Sequence, residues 1–415
     1  MVILASNENW KLSLTFIFQC LLASVVLGIG IWTKPSPSDN LVVRIDNKVL
    51  FIIFLIASLL GVFLELLAKK TKQHHFVNGV GNAIELLLLP SAFLAAINLL
   101  CLFPMVRFQL SSELLGYPVI ILFIAALFPL TFVHVQRAQS LGQRILLLIL
   151  FNIAFDVASI QLGLLSVKLL SNTIIEIISN VGFILIIGWV MSWWGFKIPE
   201  LLKFRLNANA RIVVLIGALS FWMIAIGTSA FSRADSWIRF LNDWSFKIQS
   251  VPVTVIIATI TGSFIEEWLF RYAILWQLVK HYRQISKNPI LISVVISSIL
   301  FGVAHSTNVS NGQAIQSTIF QVIMAIVVGV FLASIYLYTG VFWFSVILHS
   351  AADLLSGLLV KGASFTAGIP DFFHVELYGL YYVILLAISF YLLIRKRKTV
   401  ELTVDQMIDR SGSNF

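Results

Sequence analysis

The sequence predicts an all-α, polytopic membrane helix bundle with about twelve transmembrane helices and both termini in the cytoplasm. Three observations predict this fold: 59% of the 415 residues are hydrophobic, only 11% are charged, and the mean hydropathy is +0.96. Soluble domains have about 25% charged residues, and their cores cannot bury so large an apolar fraction. A bilayer accepts that surface, which excludes a soluble globular enzyme, a disordered chain and a secreted disulfide-linked domain.

The predicted spans follow from the lengths of the apolar runs. A span needs roughly 20 apolar residues, because a helix rises about 1.5 Å per residue and must cross about 30 Å of hydrocarbon. The runs have the approximate limits 12–32, 49–68, 79–103, 117–135, 145–167, 173–195, 211–231, 251–276, 290–305, 315–338, 341–359 and 376–394. The first run is too long for the apolar region of a cleaved signal peptide, so we expect an uncleaved span.

Basic residues indicate the orientation of these spans. The last run is followed directly by the basic residues Arg395 to Lys398, and Lys and Arg concentrate on the cytoplasmic side of membrane proteins. Counting back from this end, alternate loops carry roughly twice as many Lys and Arg as the loops between them. We therefore interpret the net charge of +9 as topology information and affinity for anionic lipid, and we expect no nucleic acid partner.

Four acidic residues lie within predicted spans of the N-terminal half, where a charge costs about 2.5–3.5 kcal/mol on insertion scales. Glu65 and Glu85 lie near predicted cytoplasmic ends, from which their side chains can reach the headgroups. Asp156 and Glu176 lie deeper and have no partner nearby in the sequence. We interpret all four as structural or interhelical hydrogen-bonding groups, and Cys20 and Cys101 as packing residues.

The eighth run differs because it places two carboxylates and a guanidinium in one apolar helix. Glu267 and Arg271 are four residues apart and can pair on one face. Glu266 is rotated by about 100° from Glu267 and has no counter-ion on its own helix. A carboxylate in that setting suits a general base that activates water.

Two later runs add histidines and a further carboxylate. The ninth run ends with Phe301 to His305, and in the eleventh run His349 and Asp353 share one helical face. Together these groups suit activation of water, stabilisation of an oxyanion or binding of a metal. The sequence HExxH is absent, so the set is not that of a standard zincin.

The ordered motifs EExxxR, FxxxH and HxxxD resemble the CPBP group of intramembrane proteases. This group is also called Abi, and it includes the type II CAAX prenyl endopeptidases. The resemblance covers residues 251–360 and implies an intramembrane endopeptidase that is either glutamate-type or metal-dependent. It implies that Glu266 and His305 activate the attacking water. It also implies that His349 and Asp353 stabilise the oxyanion, and that Glu267 and Arg271 support the site.

The last motif departs from the family pattern, which often ends in Asn. An ionised Asp353 cannot donate a hydrogen bond to an oxyanion, so it must be protonated or must instead orient His349. The family has also been described as metal-dependent, and Glu266, His305 and His349 are acceptable zinc ligands by type. We expect either no required cofactor or a divalent metal such as zinc.

The motifs and the runs together predict four parts of the chain. Residues 1–231 form an N-terminal transmembrane bundle without an assigned role, and residues 232–250 an amphipathic segment at the outer interface. Residues 251–360 form the catalytic helix bundle, and residues 361–415 the last span and a basic cytoplasmic tail. The interfacial segment carries the aromatic residues that favour this depth: Trp237, Phe240, Trp244 and Phe246.

Residue counting leaves one conflict and two alternative functions. Glu266 falls between the membrane midplane and the cytoplasmic leaflet, whereas His305 falls near the outer end, so a shared site requires a broken, tilted or shifted ninth helix.

The expected substrate is a membrane-anchored or lipid-modified peptide or protein. The alternatives are a non-catalytic membrane scaffold for protein maturation or immunity, and an ion-coupled transporter.

Overall fold

The computed structural model is helical wherever it describes regular structure. It describes residues 9–33, 48–68, 75–108, 112–165, 172–199, 211, 214–220, 236–242, 250–359 and 372–410. No strand occurs in these ranges, which confirms the all-α prediction. The predicted seventh span and the segment 232–250 lie mostly outside the described residues, as do the side chains of Asp156 and Glu176.

The chain divides into two units, Met1–Val190 and Met191–Phe415. Helices of the first unit are α1 (Asn9–Thr33), α2 (Lys48–Ala68), α3 (His75–Phe108), α4 (Ser112–Arg137), α5 (Leu141–Leu165) and most of α6 (Asn172–Trp193). Helix α3 packs against α1, α2, α4 and α5, which makes it the centre of this unit. The four-part division expected from the sequence stays a prediction.

A buried ionic network joins the first four helices. Arg137, the last residue of α4, donates from Nη2 to Glu65 Oε2 (2.5 Å) and from Nη1 to Glu85 Oε2 (2.9 Å). Nη1 also lies 2.6 Å from Asn82 Oδ1. Glu65 and Glu85 are only 7% and 0% exposed, so the expectation that they reach the headgroups was wrong. The expectation of interhelical hydrogen bonding is confirmed for both.

His134 and Ser13 complete this network. The hydroxyl of Ser13 on α1 donates to the Glu65 carboxylate on α2. His134 Nδ1 donates to the Leu130 carbonyl (2.8 Å), and its Nε2 lies 3.0 Å from Glu85 Oε2. Because all these groups are buried or nearly so, each charge is compensated by a partner on another helix, and the contacts hold the four helices against one another.

Replacing Arg137 with Met leaves two buried carboxylates without their cation. We expect the free energy of unfolding to fall by roughly 3–5 kcal/mol, the usual cost of breaking a buried ion pair from one side. Denaturant unfolding in detergent micelles measures this loss. The triple variant E65Q/E85Q/R137M should recover most of it, and Arg395→Met, at an exposed position, should change little. Wild-type stability of R137M would show that the network is unimportant.

The helices of the second unit carry the sequence motifs. They are α7 (Trp237–Asn242), α8 (Val253–Glu267), α9 (Leu275–Ile285), α10 (Pro289–Ala304), α11 (Ile315–Thr339), α12 (Phe342–Leu359), α13 (Phe372–Phe390) and α14 (Arg397–Arg410). Helix α11 is central and packs against α10, α12, α13 and α14. A 3₁₀ segment, His305–Asn311, follows α10, and a π-helical turn, Tyr391–Arg395, follows α13.

The segment Trp268–Ile274 joins α8 and α9 as a π-helical turn, so one continuous helix runs from Val253 to Ile285. All seven residues of the turn are buried. A π-helical turn interrupts the regular backbone hydrogen bonds, and here the Ser297 hydroxyl of α10 donates to the Phe270 carbonyl at 2.8 Å. The neighbouring helix therefore supplies a partner for a carbonyl of the turn.

Helix α10 approaches α11 closely at a glycine. A Cβ atom built on Gly302 would lie 2.7 Å from the Val322 carbonyl oxygen and would also overlap the side chain of Ile326. Because Gly302 precedes His305 by less than one helical turn, the same contact fixes the end of α10 that carries this histidine.

Gly302→Ala should force α10 and α11 apart. We expect a loss of roughly 1–3 kcal/mol of unfolding free energy, as for other overpacked interfaces. Gly379→Ala is the matched control, because a Cβ there meets no atom within 4 Å, and it should be neutral or stabilising by up to about 1 kcal/mol. Equal stabilities of the two variants would contradict this close approach.

The C-terminal tail forms a helix that packs on the second unit. Val400, Val404 and Ile408 of α14 are at most 7% exposed. Arg283 of α9 donates to Asp405 (2.7 Å), and Arg397 donates to the Asn288 side chain (2.8 Å) at the start of α10. The last part of the chain is therefore a docked amphipathic helix, which the sequence analysis described only as a basic tail.

Seven helices of the described chain are long and apolar enough to cross a membrane. They are Trp10–Trp32, Gly81–Cys101, Tyr117–Arg137, Val253–Ile285, Pro289–Val309, Ile315–Thr339 and Glu376–Arg395. Four shorter apolar helices accompany them: Phe51–Leu66, Leu141–Phe155, Ile177–Trp193 and Phe342–Leu355. The twelve-span count stays a prediction.

Candidate active site

His349 lies at the centre of a cluster formed by α8 and α12. Its Nδ1 donates to Glu267 Oε1 at 2.9 Å. Its Nε2 lies 3.6 Å from Glu266 Oε2 and 3.5 Å from Asp353 Oδ2. Four of the six residues predicted for the site therefore meet around one imidazole ring.

Glu267 is the buried support of this cluster. Its side chain is 0% exposed, and Oε2 lies 3.1 Å from Nε of Arg271, which is also 0% exposed. Its other oxygen accepts the hydrogen bond from His349. One carboxylate thus holds a guanidinium on its own helix and an imidazole on the next.

Phe301 fills the space between the charged groups. The Arg271 Cζ atom lies 4.6 Å from the centre of the Phe301 ring, a distance at which a cation–π interaction is favourable. The same ring contacts the rings of His305 and His349, with centroids 4.9 and 5.8 Å away. The first residue of the FxxxH motif therefore packs α10 against the site.

Glu266 differs from its neighbour Glu267 in exposure and partners. Its side chain is 41% exposed, against 0% for Glu267. Its Oε2 atom is buried and has no hydrogen-bond partner within the described part of the chain. The Glu266 carboxylate that faces His349 is therefore also an available proton acceptor, whereas each oxygen of Glu267 lies against a basic side chain, His349 or Arg271.

His305 approaches the cluster from the end of α10. Its Nδ1 donates to the Phe301 carbonyl at 2.9 Å, which leaves Nε2 as an acceptor when the ring is neutral. The ring is close enough to Glu266 for the two side chains to interact electrostatically. A neutral imidazole in this orientation has a lone pair to offer to a water proton.

The lengths of the two helices explain why the depth conflict of the sequence analysis does not arise. The helix that carries Glu266 extends to Ile285, beyond the predicted limit at residue 276. Glu266 lies about 28 Å along the helix from Ile285, and His305 lies about 24 Å from Pro289. Because the two helices are joined by a short turn, both residues reach a similar depth.

Asp353 acts as a hydrogen-bond acceptor in this arrangement. Its Oδ2 atom accepts a hydrogen bond from the Ser263 hydroxyl (3.0 Å) and faces His349 Nε2. The sequence analysis did not select Ser263, although it lies one helical turn before Glu267 and therefore shares its face. It also gave no role to the Phe301 ring, because that ring acts across helices.

The sequence analysis suggested Glu266, His305 and His349 as zinc ligands by type. Zinc takes four ligands at about 2.0–2.3 Å in a tetrahedral arrangement. His349 Nδ1 is bonded to Glu267, so only Nε2 faces Glu266. In the described ranges, no group of three or more His, Cys, Asp and Glu side chains is arranged to hold a metal ion. The expectation of either no required cofactor or a divalent metal stays a prediction.

Comparison with known families gives one match. Residues 248–355 match the family model of the type II CAAX prenyl endopeptidase Rce1-like proteins. The match includes all six residues predicted for the site, and it confirms the resemblance to the CPBP group. No curated protein and no solved structure matches the chain.

The Rce1-like match and the apolar helices together indicate that the protein resides in a membrane. Members of this family are integral membrane proteins, and seven described helices have the length and composition of membrane spans. The chain is therefore a multi-pass integral membrane protein, and the match supports protease activity with a membrane-associated substrate.

Substitution of the two adjacent glutamates should reduce stability by different amounts. Glu267→Gln removes the charge that compensates buried Arg271, so we expect a loss of roughly 3–5 kcal/mol of unfolding free energy. Glu266→Gln changes a partly exposed side chain and should cost less than about 1 kcal/mol. Parallel denaturant titrations of the two variants measure the difference. A larger loss in E266Q than in E267Q would contradict the assignment of Glu267 as the structural partner.

Proposed function

We propose that the chain is an intramembrane endopeptidase that hydrolyses a peptide bond in a membrane-anchored or lipid-modified protein or peptide. The observation that carries the proposal is the position of Glu266. Within an Rce1-like domain, this available carboxylate faces His349 Nε2, while Glu267 holds both His349 and Arg271. From the family match, we propose a prenylated C-terminal peptide as the first substrate class to test.

Glu266 and His305 activate the attacking water in this proposal. A water held between their acceptor atoms gives a proton to Glu266 as its oxygen attacks the carbonyl carbon of the substrate. The proton then moves from Glu266 to the leaving amine as the carbon–nitrogen bond breaks. The 41% exposure of Glu266 supports this role, because substrate and water must both reach the carboxylate.

His349 stabilises the oxyanion that forms on the substrate carbonyl oxygen. Its Nδ1–H donates to Glu267, so the ring acts as the imidazolium, and the second proton, on Nε2, is the one directed at the substrate. Of the two roles open to Asp353, orientation of His349 is better supported than donation to the oxyanion. The carboxylate already accepts a hydrogen bond from Ser263 and lies 3.5 Å from His349 Nε2.

The proposed enzyme is of the glutamate type and uses no resident metal. The positions of the donors support this choice, since no group of three or more His, Cys, Asp and Glu side chains in the described ranges is arranged to hold a metal ion. The chelator arm of the experiment below tests it independently.

We also propose the twelve-span topology with both termini in the cytoplasm. In the first unit, the Arg137 network joins the start of α1 and α3 to the end of α2 and α4, as that topology requires. In the second unit, α14 contacts Arg283, Asn288 and Gly340, which lie in predicted cytoplasmic turns between spans. Residues that touch on one side of the membrane must be separated by an even number of spans. The twelve-span topology meets this condition for each of these contacts, so the contacts support it.

The test is cleavage of a prenylated CAAX peptide by purified protein in detergent. We expect wild type to cleave it, and Glu266→Ala and His305→Ala to lose at least about a hundredfold in kcat, the usual contribution of general acid–base catalysis. Glu401→Ala on α14 is the control glutamate and should cleave normally. Addition of EDTA should leave the wild-type rate unchanged.

Three outcomes would contradict the proposal. Wild-type-like cleavage by a folded E266A variant excludes Glu266 as the base. Loss of wild-type activity in EDTA, with recovery on addition of zinc, excludes a metal-free mechanism. Failure of folded wild type to cleave prenylated peptides and a panel of unmodified membrane-anchored peptides excludes the proposed substrate classes.

A further inference from the structure

Ser263 contacts the site from a position that the motif EExxxR does not include. Its side chain is only 3% exposed, and its hydroxyl lies 3.0 Å from Asp353 Oδ2. The same hydroxyl lies 2.9 Å from the backbone carbonyl of Thr259. Because a hydroxyl has one hydrogen, it donates to one of these acceptors at a time, and a carboxylate accepts the stronger, charge-assisted bond.

The contact joins the two helices that form the site. Ser263 belongs to α8, which carries both glutamates, and Asp353 belongs to α12, which carries His349. The Asp353 oxygen that accepts from Ser263 is also the one that faces His349 Nε2 at 3.5 Å. Asp353 is 49% exposed, whereas Ser263 is buried.

We propose that Ser263 is a positioning residue that holds the Asp353 carboxylate against His349. This inference rests on the proposed protease function, and it extends that function to a residue outside the three motifs. Ser263 is too buried to touch substrate, so it acts through Asp353. Its hydroxyl restrains the carboxylate that orients the oxyanion-stabilising imidazole, and it should affect the chemical step rather than substrate binding.

The helix itself provides matched variants. Thr259 is on the same helix one turn earlier, and its hydroxyl donates to the Val255 carbonyl at 2.9 Å, as serine and threonine hydroxyls do within helices. Thr259→Ala therefore removes a hydroxyl from α8 without removing the contact to Asp353. Ser263→Thr keeps the hydroxyl in a helix that already accommodates threonine, and Ser263→Cys keeps the volume but donates weakly.

The experiment measures kcat and KM on the prenylated CAAX peptide for the full chain in detergent. We expect Ser263→Ala to lower kcat about tenfold, equivalent to loss of one hydrogen bond to a charged group, with KM within about twofold of wild type. Ser263→Thr should restore kcat to within about threefold of wild type, Ser263→Cys should be intermediate, and Thr259→Ala should match wild type. Thermal unfolding identifies any variant that does not fold. If Ser263→Ala does not fold, the comparison of Ser263→Cys with Ser263→Thr tests the proposal instead.

The outcomes distinguish failure of this inference from failure of the proposed function. If E266A is inactive and S263A retains wild-type kcat, the protease stands and the positioning role fails. Equal losses in S263A and T259A, a change in KM alone, or failure of S263T to restore kcat would also overturn the role of the hydroxyl. Normal cleavage by E266A, or no cleavage by wild type, overturns the proposed function and this inference with it.

Discussion

The arrangement of the site depends on one fully buried carboxylate, that of Glu267. A lone charge at this depth is unfavourable, and so is the lone guanidinium of Arg271, but as a pair they compensate each other on one face of the helix. The second oxygen of Glu267 accepts a hydrogen bond from His349 of α12. The same residue therefore stabilises its own helix and fixes the imidazole that the proposed reaction uses.

The surrounding structure supplies the rigid setting that this carboxylate needs. The π-helical turn Trp268–Ile274 buries Arg271 in an apolar shell, and the Phe301 ring covers the guanidinium. Ser297 and Gly302 hold α10 against its neighbours at the level of this turn. Glu266 remains at the edge of the shell, partly exposed, so two consecutive glutamates have different environments and different proposed roles. The first unit uses the same principle, with Arg137 between Glu65 and Glu85.

Much of this could be predicted from the sequence, because spacing within one helix is sufficient for some contacts. The Glu267–Arg271 pair and the shared face of His349 and Asp353 follow from separations of four residues. Contacts between helices could not be predicted in this way. The sequence has no local signal that Arg137 meets two glutamates more than fifty residues away, or that Ser263 reaches Asp353. The true length of the helix through Ile285 was also missed, since its last turns are polar, and this produced the apparent depth conflict with His305.

The most direct test of this account is a double-mutant cycle between Glu267 and His349, measured as free energies of unfolding in detergent. Glu267→Gln weakens the acceptor, and His349→Phe keeps a planar ring without donors. If one buried carboxylate holds both helices, the two substitutions should be coupled by at least about 1 kcal/mol, as for residues that share a buried hydrogen-bond network. Additive losses in the double variant would show that Glu267 does not hold His349, and the proposed geometry of the site would be wrong.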